Sequence, residues 1–321
     1  MVSGMNEMFS PSPKLPILVI GAAGQDIVGR SRGELRFGTS NPGKIRKSFG
    51  GVARNVAENL ARLGQPVILL TVVGMDGTGD LLLEQARAAG VDISHALRTD
   101  QQPTGTYLAL VDEAGWLQYA LDDMRILSAL TPAFLEECVH LFANASLVFV
   151  DSNLTKETLR KVVSLARRVK IPICADPTSV TLAVRLKPYL SRLKLVTSNA
   201  GEAEILCGRA WKPEDHQQAM EAAKSLVSQG VEIAIVTLAE LGVCYATSET
   251  TGQVPALRTQ VVDPTGGGDA LISAVIFGLL NDIPLDDSIR LGVSAASLTL
   301  RHTGAVVPDL NLEKLYDRLI I

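Results

Sequence analysis

Val261-Val262-Asp263-Pro264-Thr265-Gly266-Gly267-Gly268-Asp269-Ala270 opens a strongly apolar segment that runs to Leu280. Three glycines before a buried helix are unfavourable, because each costs about 1 kcal/mol against alanine in a helical conformation. A helix N-terminus, however, presents unpaired N–H groups and a partial positive charge, and glycine lets an anion approach them closely. The segment therefore predicts a phosphate site at the start of a buried helix over Asp269–Leu280.

The acid at the end of this stretch, Asp269, would repel a phosphate unless it accepted a proton from an attacking hydroxyl group. We expect the helix dipole to keep its carboxyl group ionised, which suits a catalytic base. The arrangement favours phosphoryl transfer to a hydroxyl group. The alternative is a tight turn in which Asp269 only caps the helix.

Short apolar runs alternate with helical patterns along the rest of the chain. Most runs are apolar without alternation, as in strands covered on both faces, so we predict an α/β fold with a mostly parallel sheet between helices. The predicted strands are Ile17–Gly21, Val67–Gly74, Leu147–Asp151, Ile171–Asp176, Leu193–Ser198 and Ile233–Leu238. The predicted helices are 52–63, Leu81–Ala89, Thr131–Phe142, Thr155–Val169, Ala200–Cys207, Glu214–Ser228, Asp269–Leu280 and Leu285–Leu300.

Two stretches break this alternation. Residues 36–47 are polar and contain turn-forming glycine and proline, and Thr104–Val111 and Trp116–Leu121 alternate like the strands of a hairpin. We predict a small β flap, or lid, from about 30–48 and 104–122, inserted into one domain over 17–321. Residues 1–16 predict a flexible N-terminal tail.

The composition excludes several classes of protein. With 30 basic and 34 acidic residues the net charge is −4, so nothing favours a nucleic-acid partner. The sequence contains no run of about 18 apolar residues, so it predicts no membrane span. The four cysteines and four histidines lie far apart, which favours buried free thiols and a cytoplasmic location over a metal site.

Two nucleotide motifs are absent from the sequence. A dinucleotide-dependent oxidoreductase lacks support, because no G-x-G-x-x-G fingerprint occurs. Residues 38–44 match the G-x-x-x-x-G-K part of a P-loop, but Ile45 stands where serine or threonine would hold magnesium.

The stretch Asp263–Asp269 resembles the signature of the PfkB, or ribokinase-like, carbohydrate kinases, whose usual form is D-T-x-G-A-G-D, with Gly267 at the usual alanine. The resemblance covers roughly residues 16–310. It implies a ribokinase-like three-layer α/β/α fold and the use of ATP and Mg²⁺. It also implies that Gly266, Gly267 and Gly268 form the anion hole and that Asp269 is the catalytic base.

Two further motifs resemble the substrate site of this family. Gly50-Gly51-Val52-Ala53-Arg54-Asn55 has the form G-G-x-x-x-N, in which Gly50 and Gly51 permit close contact with a ligand and Asn55 bonds to sugar hydroxyls. The alternative is a helix start with a buried asparagine. Asp26 follows the first strand, and we expect it in a loop, where an acid of this family binds sugar hydroxyls.

On the nucleotide side, Asn199-Ala200-Gly201-Glu202 resembles an N-x-x-E motif, which implies that Asn199 and Glu202 hold Mg²⁺ through water. Residues 237–242 resemble a T-L-G-x-x-G turn, with Ala239 in place of the usual glycine. The implied ATP contacts are Asn199, Thr237, Ala239, Gly242, Gly266 and Gly268. The resemblance also implies a monovalent cation, K⁺, near Asp263 and Thr265.

Within the family, the flap and first signature are most similar to the pseudouridine kinases, which implies phosphorylation of a nucleoside 5′-hydroxyl with Asn41 and Asp123 near the base or ribose. Leu182 stands near the place where that branch carries lysine. Ribokinases, fructokinases and inosine-type kinases remain alternatives, as does a non-catalytic nucleotide- or sugar-binding regulator. Flaps of this family often pair two subunits, which implies a homodimer.

Overall fold

The computed structural model describes residues 14–209 and 216–320. In chain order, its strands are β1 (Ile17–Ile20), β2 (Gly24–Ser31), β3 (Gly43–Gly50), β4 (Val67–Leu70), β5 (Val72–Gly74), β6 (Leu97–Thr99), β7 (Gly105–Val111), β8 (Leu117–Asp123), β9 (Leu147–Asp151), β10 (Ile173–Asp176), β11 (Leu195–Asn199), β12 (Ile233–Thr237), β13 (Val243–Ala246) and β14 (Thr251–Val254). Its helices are α1 (Val52–Arg62), α2 (Gly77–Ala88), α3 (Pro132–Glu137), α4 (Val139–Ala143), α5 (Lys156–Val169), α6 (Val180–Ala183), α7 (Ala200–Cys207), α8 (His216–Ser228), α9 (Gly267–Leu280), α10 (Leu285–Leu300) and α11 (Leu312–Ile320).

The central sheet has the order β14-β13-β12-β11-β10-β9-β1-β4. The six strands from β12 to β4 run parallel, and β13 and β14 add an antiparallel edge. β1 and β9 are buried along their whole length, because helices cover both faces of the sheet. The predicted, mostly parallel sheet is thus confirmed. Its six parallel strands end at one edge, where ligands bind in sheets of this kind.

Alternate residues of each central strand contact opposite helical layers. Leu18 and Ile20 belong to the core beneath α3, α4, α5, α7 and α8. Ile17 and Val19 belong to the core beneath α1, α2, α9, α10 and α11. This is the three-layer α/β/α arrangement that the sequence predicts.

The second sheet, which we call the flap, has the order β3-β2-β7-β8. Its register aligns four polar residues in one row across the strands: Ser48, Asp26, Tyr107 and Asp122. Directly paired residues project to the same face of a sheet, so this row lies on one face. We call it the inner face, because Arg46 on the same face of β3 contacts Asp263 of the central domain.

The structure differs from several predictions. β2 is a strand of the flap, so Asp26 does not lie in a loop as expected. The predicted strand Val67–Gly74 is two strands, β4 and β5, which belong to different sheets and meet at Thr71, whose hydroxyl donates to the carbonyl of Gly21. The predicted helix Thr131–Phe142 is divided into α3 and α4 at Cys138.

Among the described residues, the strands β6, β13 and β14 and the helices α6 and α11 were not predicted at all. Residues 1–13 of the predicted tail and residues 214–215 of the predicted helix Glu214–Ser228 lie outside the described residues. Within the described ranges, no helix has the length and apolar character needed to span a bilayer.

Candidate active site

The three glycines at the start of α9 are required for different reasons. Gly266 has φ of 79°, and a Cβ there would lie 2.1 Å from the carbonyl oxygen of Ala305. A Cβ at Gly267 would lie 3.2 Å from the side chain of Leu300. No atom lies within 4 Å of the Cβ position at Gly268. Backbone conformation and packing therefore require the first glycine most strongly, whereas Gly268 leaves space for a ligand beside the helix N-terminus.

Asp269 lies in the first turn of α9, but it does not cap this helix. The N-cap residue is Gly266, which makes no side-chain hydrogen bond. The side-chain amide of Asn55 donates from Nδ2 to Oδ2 of Asp269 at 2.8 Å. Nη1 of Arg54 donates to Oδ1 of Asn55 at 3.2 Å, which orients the amide toward the acid. Arg54 is itself buried and pairs with Glu58. The predicted ligand group Asn55 thus orients the predicted base.

Burial raises the pKa of Asp269 to about 7. The hydrogen bond from Asn55 lowers it, and the carboxylates of Asp151, Asp26 and Glu202 raise it further. The expectation that the helix dipole keeps Asp269 ionised is therefore incomplete, because burial and neighbouring charge act against the dipole. A group with a pKa near 7 is well suited to accept and release a proton at neutral pH.

Asp26 faces the same cleft from the inner face of the flap. A Cβ at Gly50 would lie 2.1 Å from its Oδ2, so the glycine makes room for the carboxylate. No described residue donates a hydrogen bond to that carboxylate, and burial raises the pKa of Asp26 to about 6 although Arg54 lowers it. Gly51 begins α1 with φ of 94°. Asp26 is therefore free to accept hydrogen bonds from a ligand.

The structure does not bring Asn41 and Asp123 to this cleft. The amide of Asn41 bonds to the backbone of Arg36 and Thr39 in the loop after β2. Asp123 projects to the outer face of the flap and pairs with Arg125. Neighbouring residues of a strand point to opposite faces, so Asp122, and not Asp123, lies on the inner face.

Asp122 borders a cavity of about 440 Å³, which is also lined by Asn153, Leu182 and Arg185. Burial raises the pKa of Asp122, Asp123 raises it further and Arg185 lowers it. Arg185 is held by three backbone carbonyl groups, those of residues 152–154. The cavity thus combines an acidic acceptor with a fixed cation.

A second cavity, of about 550 Å³, lies on the other side of the glycine loop. Four of the six predicted nucleotide contacts line it, Thr237, Ala239, Gly242 and Gly268, whereas Asn199 and Gly266 do not. Its remaining walls are largely apolar and include Leu257, Val261, Leu271, Val293 and Leu300. Ala239 keeps the turn of the family motif by adopting φ of 48°, a left-handed conformation that glycine adopts without strain.

Asn199 and Glu202 form a reciprocal cap at the start of α7. Glu202 N–H donates to Oδ1 of Asn199, and Asn199 N–H donates to Oε2 of Glu202, each at 2.9 Å. Burial raises the pKa of Glu202, although Asn199 lowers it, and burial with the nearby Glu202 and Asp269 raises that of Asp176. Glu202 therefore keeps one oxygen free beside unneutralised carboxylates, which fits a hydrated magnesium ion.

Asp263 is saturated with hydrogen-bond donors. Its Oδ1 accepts from the N–H and hydroxyl of Thr265, at 3.0 and 2.6 Å. Its Oδ2 accepts from the N–H of Gly304 at 3.0 Å and from Arg46 at 2.5 Å. Burial alone would raise the pKa of Asp263, but these donors lower it below its usual value.

Sequence reasoning also missed an acid beneath the substrate side of the cleft. Asp151, at the end of β9, has 0% of its surface exposed. Its Oδ2 accepts from the N–H groups of Ala22 and Ala53, at 2.7 and 3.1 Å, and so joins β1 to the start of α1. Gly21 makes room for it, since a Cβ there would lie 2.3 Å from that oxygen. The sequence feature that could have indicated this residue is an acid at the carboxyl end of a predicted parallel strand.

Comparison with known proteins identifies the family of this chain. The family model described as pfkB family carbohydrate kinase matches residues 14–311. The chain is 31% identical over 297 residues to the pseudouridine kinase of Escherichia coli, covering 92% of this chain and 94% of that protein. It is 29% identical over 297 residues to the guanosine-inosine kinase of Exiguobacterium acetylicum, covering 92% and 97%.

A solved structure shows the same fold. The ribokinase of Arabidopsis thaliana, complexed with ribose and ATP, superimposes with a TM-score of 0.84 at 20% identity, covering 96% of this chain and 99% of that one.

Proposed function

Because this chain belongs to the pfkB family of carbohydrate kinases, and is therefore a phosphotransferase that acts on a hydroxyl group, we propose that it transfers the γ-phosphoryl group of ATP to the 5′-hydroxyl of pseudouridine. The observation that carries the proposal is the position of Asp269. It directly follows the open space at Gly268, and it lies close enough to the unpaired carboxylate of Asp26 for that charge to raise its pKa, so a phosphate and a sugar could meet beside it.

In the proposed reaction, the 5′-oxygen of the acceptor attacks the γ-phosphorus of ATP. The new P–O bond forms as the bond to the bridging oxygen of ADP breaks, and the proton of the hydroxyl passes to Asp269. Asn55 occupies Oδ2 of Asp269, which leaves Oδ1 to take that proton. Backbone N–H groups of Gly266, Gly267 and Gly268 stabilise the charge on the transferring group.

Kinases of this family use ATP with Mg²⁺. We propose that Glu202 and Asn199 hold that ion through water at the carboxyl end of β11. When bound, the ion neutralises negative charge on the phosphate oxygens. The residues themselves make the site acidic, because Glu202 lies close enough to Asp176 to raise the pKa of its carboxyl group.

The cavity beside Asp122 supports a nucleoside rather than a simple sugar as the acceptor. The inner row places Asp122 beside Tyr107 and Asp26, so a base can occupy the cavity while its ribose reaches Asp26. In pseudouridine both ring nitrogens carry N–H groups, whereas in uridine one of them forms the glycosidic bond. A carboxylate acceptor therefore favours pseudouridine, and a site built around such a bond discriminates strongly against analogues that lack the donor.

The test is a panel of acceptors read by ADP release: pseudouridine, uridine, inosine, guanosine, ribose and fructose. We expect the highest kcat/KM with pseudouridine. The Asp122→Asn variant should lose about tenfold in kcat/KM for pseudouridine and less for uridine. Asp123→Asn is the matched control and should behave like the wild type. A panel in which guanosine, inosine or ribose is preferred would refute the substrate assignment and leave the kinase assignment intact.

The outer face of the flap supports the proposed homodimer. Four large apolar side chains project there and are exposed: Ile45, Leu108, Tyr119 and Leu121. A second copy of the chain would bury this patch, which a monomer would leave in water. Light scattering should give the mass of a dimer, and the double variant Ile45→Asp with Leu121→Asp should give a monomer. A monomeric wild type would contradict this proposal.

The cysteines support the proposed cytoplasmic location. All four are free thiols: Cys138, Cys174, Cys207 and Cys244. Burial raises the pKa of each, which makes it a poor nucleophile, and free thiols persist in reducing compartments. Cell fractionation would test the location directly.

A further inference from the structure

An ion pair connects the flap to the loop that leads into the anion hole. Arg46 projects from the inner face of β3, and its Nη2 lies 2.5 Å from Oδ2 of Asp263. The side chain of Asp263 is only 6% exposed, whereas that of Arg46 is 35% exposed. A buried carboxylate requires compensation of its charge, and the flap supplies it here.

The carboxylate of Asp263 has no acceptor capacity left for another partner. Each carboxylate oxygen offers about two lone-pair positions. At Oδ1 both are taken by Thr265, and at Oδ2 they are taken by Gly304 and Arg46. The site is thus complete with protein groups alone.

A monovalent cation does not fit these residues. An ion held by Asp263 and Thr265 would need an oxygen of the saturated carboxylate, and it would lie next to the guanidinium charge of Arg46. The hydroxyl of Thr265 also directs its hydrogen toward Asp263. The side chains of Asp263 and Thr265 therefore do not fit the K⁺ site that the family resemblance implies at these two residues.

We propose that Arg46 is a positioning residue that supplies, from the flap, the positive charge required at Asp263, so that phosphoryl transfer by this protein does not depend on a monovalent cation. Asp263 holds Thr265 on one side and Gly304 on the other, and Gly266 packs against Ala305. The guanidinium thereby fixes the backbone from which the anion-hole N–H groups project.

The same contact ties the anion hole to the flap. Arg46 and Asp26 lie on one face of the same pair of strands, so the segment that offers a carboxylate to the acceptor also completes the phosphate loop. The flap therefore aligns the acceptor side of the reaction site with its phosphate side. A substrate that displaces the flap would therefore also loosen the loop beside Gly266. We expect this loosening to lower kcat more than it changes the KM for ATP.

The experiment compares wild type, Arg46→Gln, Arg46→Lys and the control Lys47→Gln, which removes a charge from the neighbouring, outward-facing position of β3. Rates of ADP release are measured in potassium, sodium and choline chloride at equal ionic strength. We expect the wild type and the control to be equally active in all three salts. Arg46→Gln should lose about tenfold or more in kcat in choline chloride and recover activity with added potassium, and Arg46→Lys should retain most activity.

Thermal unfolding in the same salts gives a readout that needs no turnover. Potassium should raise the Tm of Arg46→Gln and leave that of the wild type unchanged. A wild-type rate that rises several-fold with potassium would overturn the proposal, as would an Arg46→Gln variant that matches the wild type in choline chloride or that ignores potassium. The assay uses whichever acceptor is most active, so a wrong substrate assignment does not affect this test.

Discussion

Replacing Asp269 by asparagine should abolish catalysis and stabilise the protein above neutral pH. The substitution keeps the size of the side chain and the acceptor oxygen for Asn55, but it removes a base and a charge. Loss of a general base lowers kcat by about 10²–10⁴-fold. ATP affinity should change little, because Asp269 faces the acceptor hydroxyl rather than the nucleotide.

The effect on stability follows from proton linkage. The pKa of Asp269 is about 7 in the folded protein and 3.8 for an ordinary aspartate, so between these values the folded state binds more protons than the unfolded state. Stability then falls as pH rises through this window, and the loss is complete above about pH 7. The shift corresponds to about 2–4 kcal/mol after allowance for partial exposure to the cleft.

The assay is urea unfolding of both proteins between about pH 5.5 and pH 8.5. The stability of Asp269→Asn relative to wild type should increase by about 2 kcal/mol over this range. The wild type loses this stability as Asp269 releases its proton, and most of the loss falls below pH 7. Asp287→Asn, an exposed acid in the first turn of α10, is the control and should show no such trend. A pH-independent difference would refute the electrostatic reasoning, and retained turnover would refute the assignment of the base.

Three further predictions follow from the glycine loop, the nucleotide turn and the acid. Gly268→Ala should fold normally and lose turnover, because its methyl group enters the open anion space, whereas Gly266→Ala should unfold at clearly lower urea concentration; equal effects would contradict the distinction. Ala239→Gly should raise Tm by about 1–2 °C without loss of activity, since glycine relieves a left-handed strain of about 1–2 kcal/mol and gives back part of it as chain entropy. Finally, kcat/KM for the acceptor should fall tenfold per pH unit below about pH 7 as Asp269 becomes protonated, and a profile flat down to pH 5 would contradict the raised pKa.

The central layer of the fold was predictable because its strands are buried on both faces. Continuous apolar runs such as Leu147–Asp151 have no other stable environment in a protein of this composition. β2 was missed because the segment Gly24–Ser31 carries polar residues toward the cleft and begins with a glycine, so it lacks the alternation of a half-buried strand. Local sequence could not reveal that Thr71 divides one apolar run between two sheets.

The glycine-rich start of α9 was predictable because helix starts and glycines have local signatures. The substrate side depends on which face of a flap strand points inward, and a register of one residue decides between Asp122 and Asp123. The role of Arg46 depends on a contact across 217 residues of chain, which no local pattern can indicate. Long-range pairing therefore limited the prediction more than residue chemistry did.

The charge of the cleft unites these observations. Six carboxyl groups around it have a raised pKa, with burial as the leading cause in each: Asp26, Asp122, Asp151, Asp176, Glu202 and Asp269. Asp263 is the exception, because Arg46 and three other donors neutralise it. The protein thus compensates the negative charge of Asp263 in the loop beside the proposed anion hole. It does not compensate the charges of the six acids around the proposed reacting centre. A magnesium nucleotide would bring the missing positive charge together with its phosphate, so we expect these acids to favour the metal-bound nucleotide over the free anion.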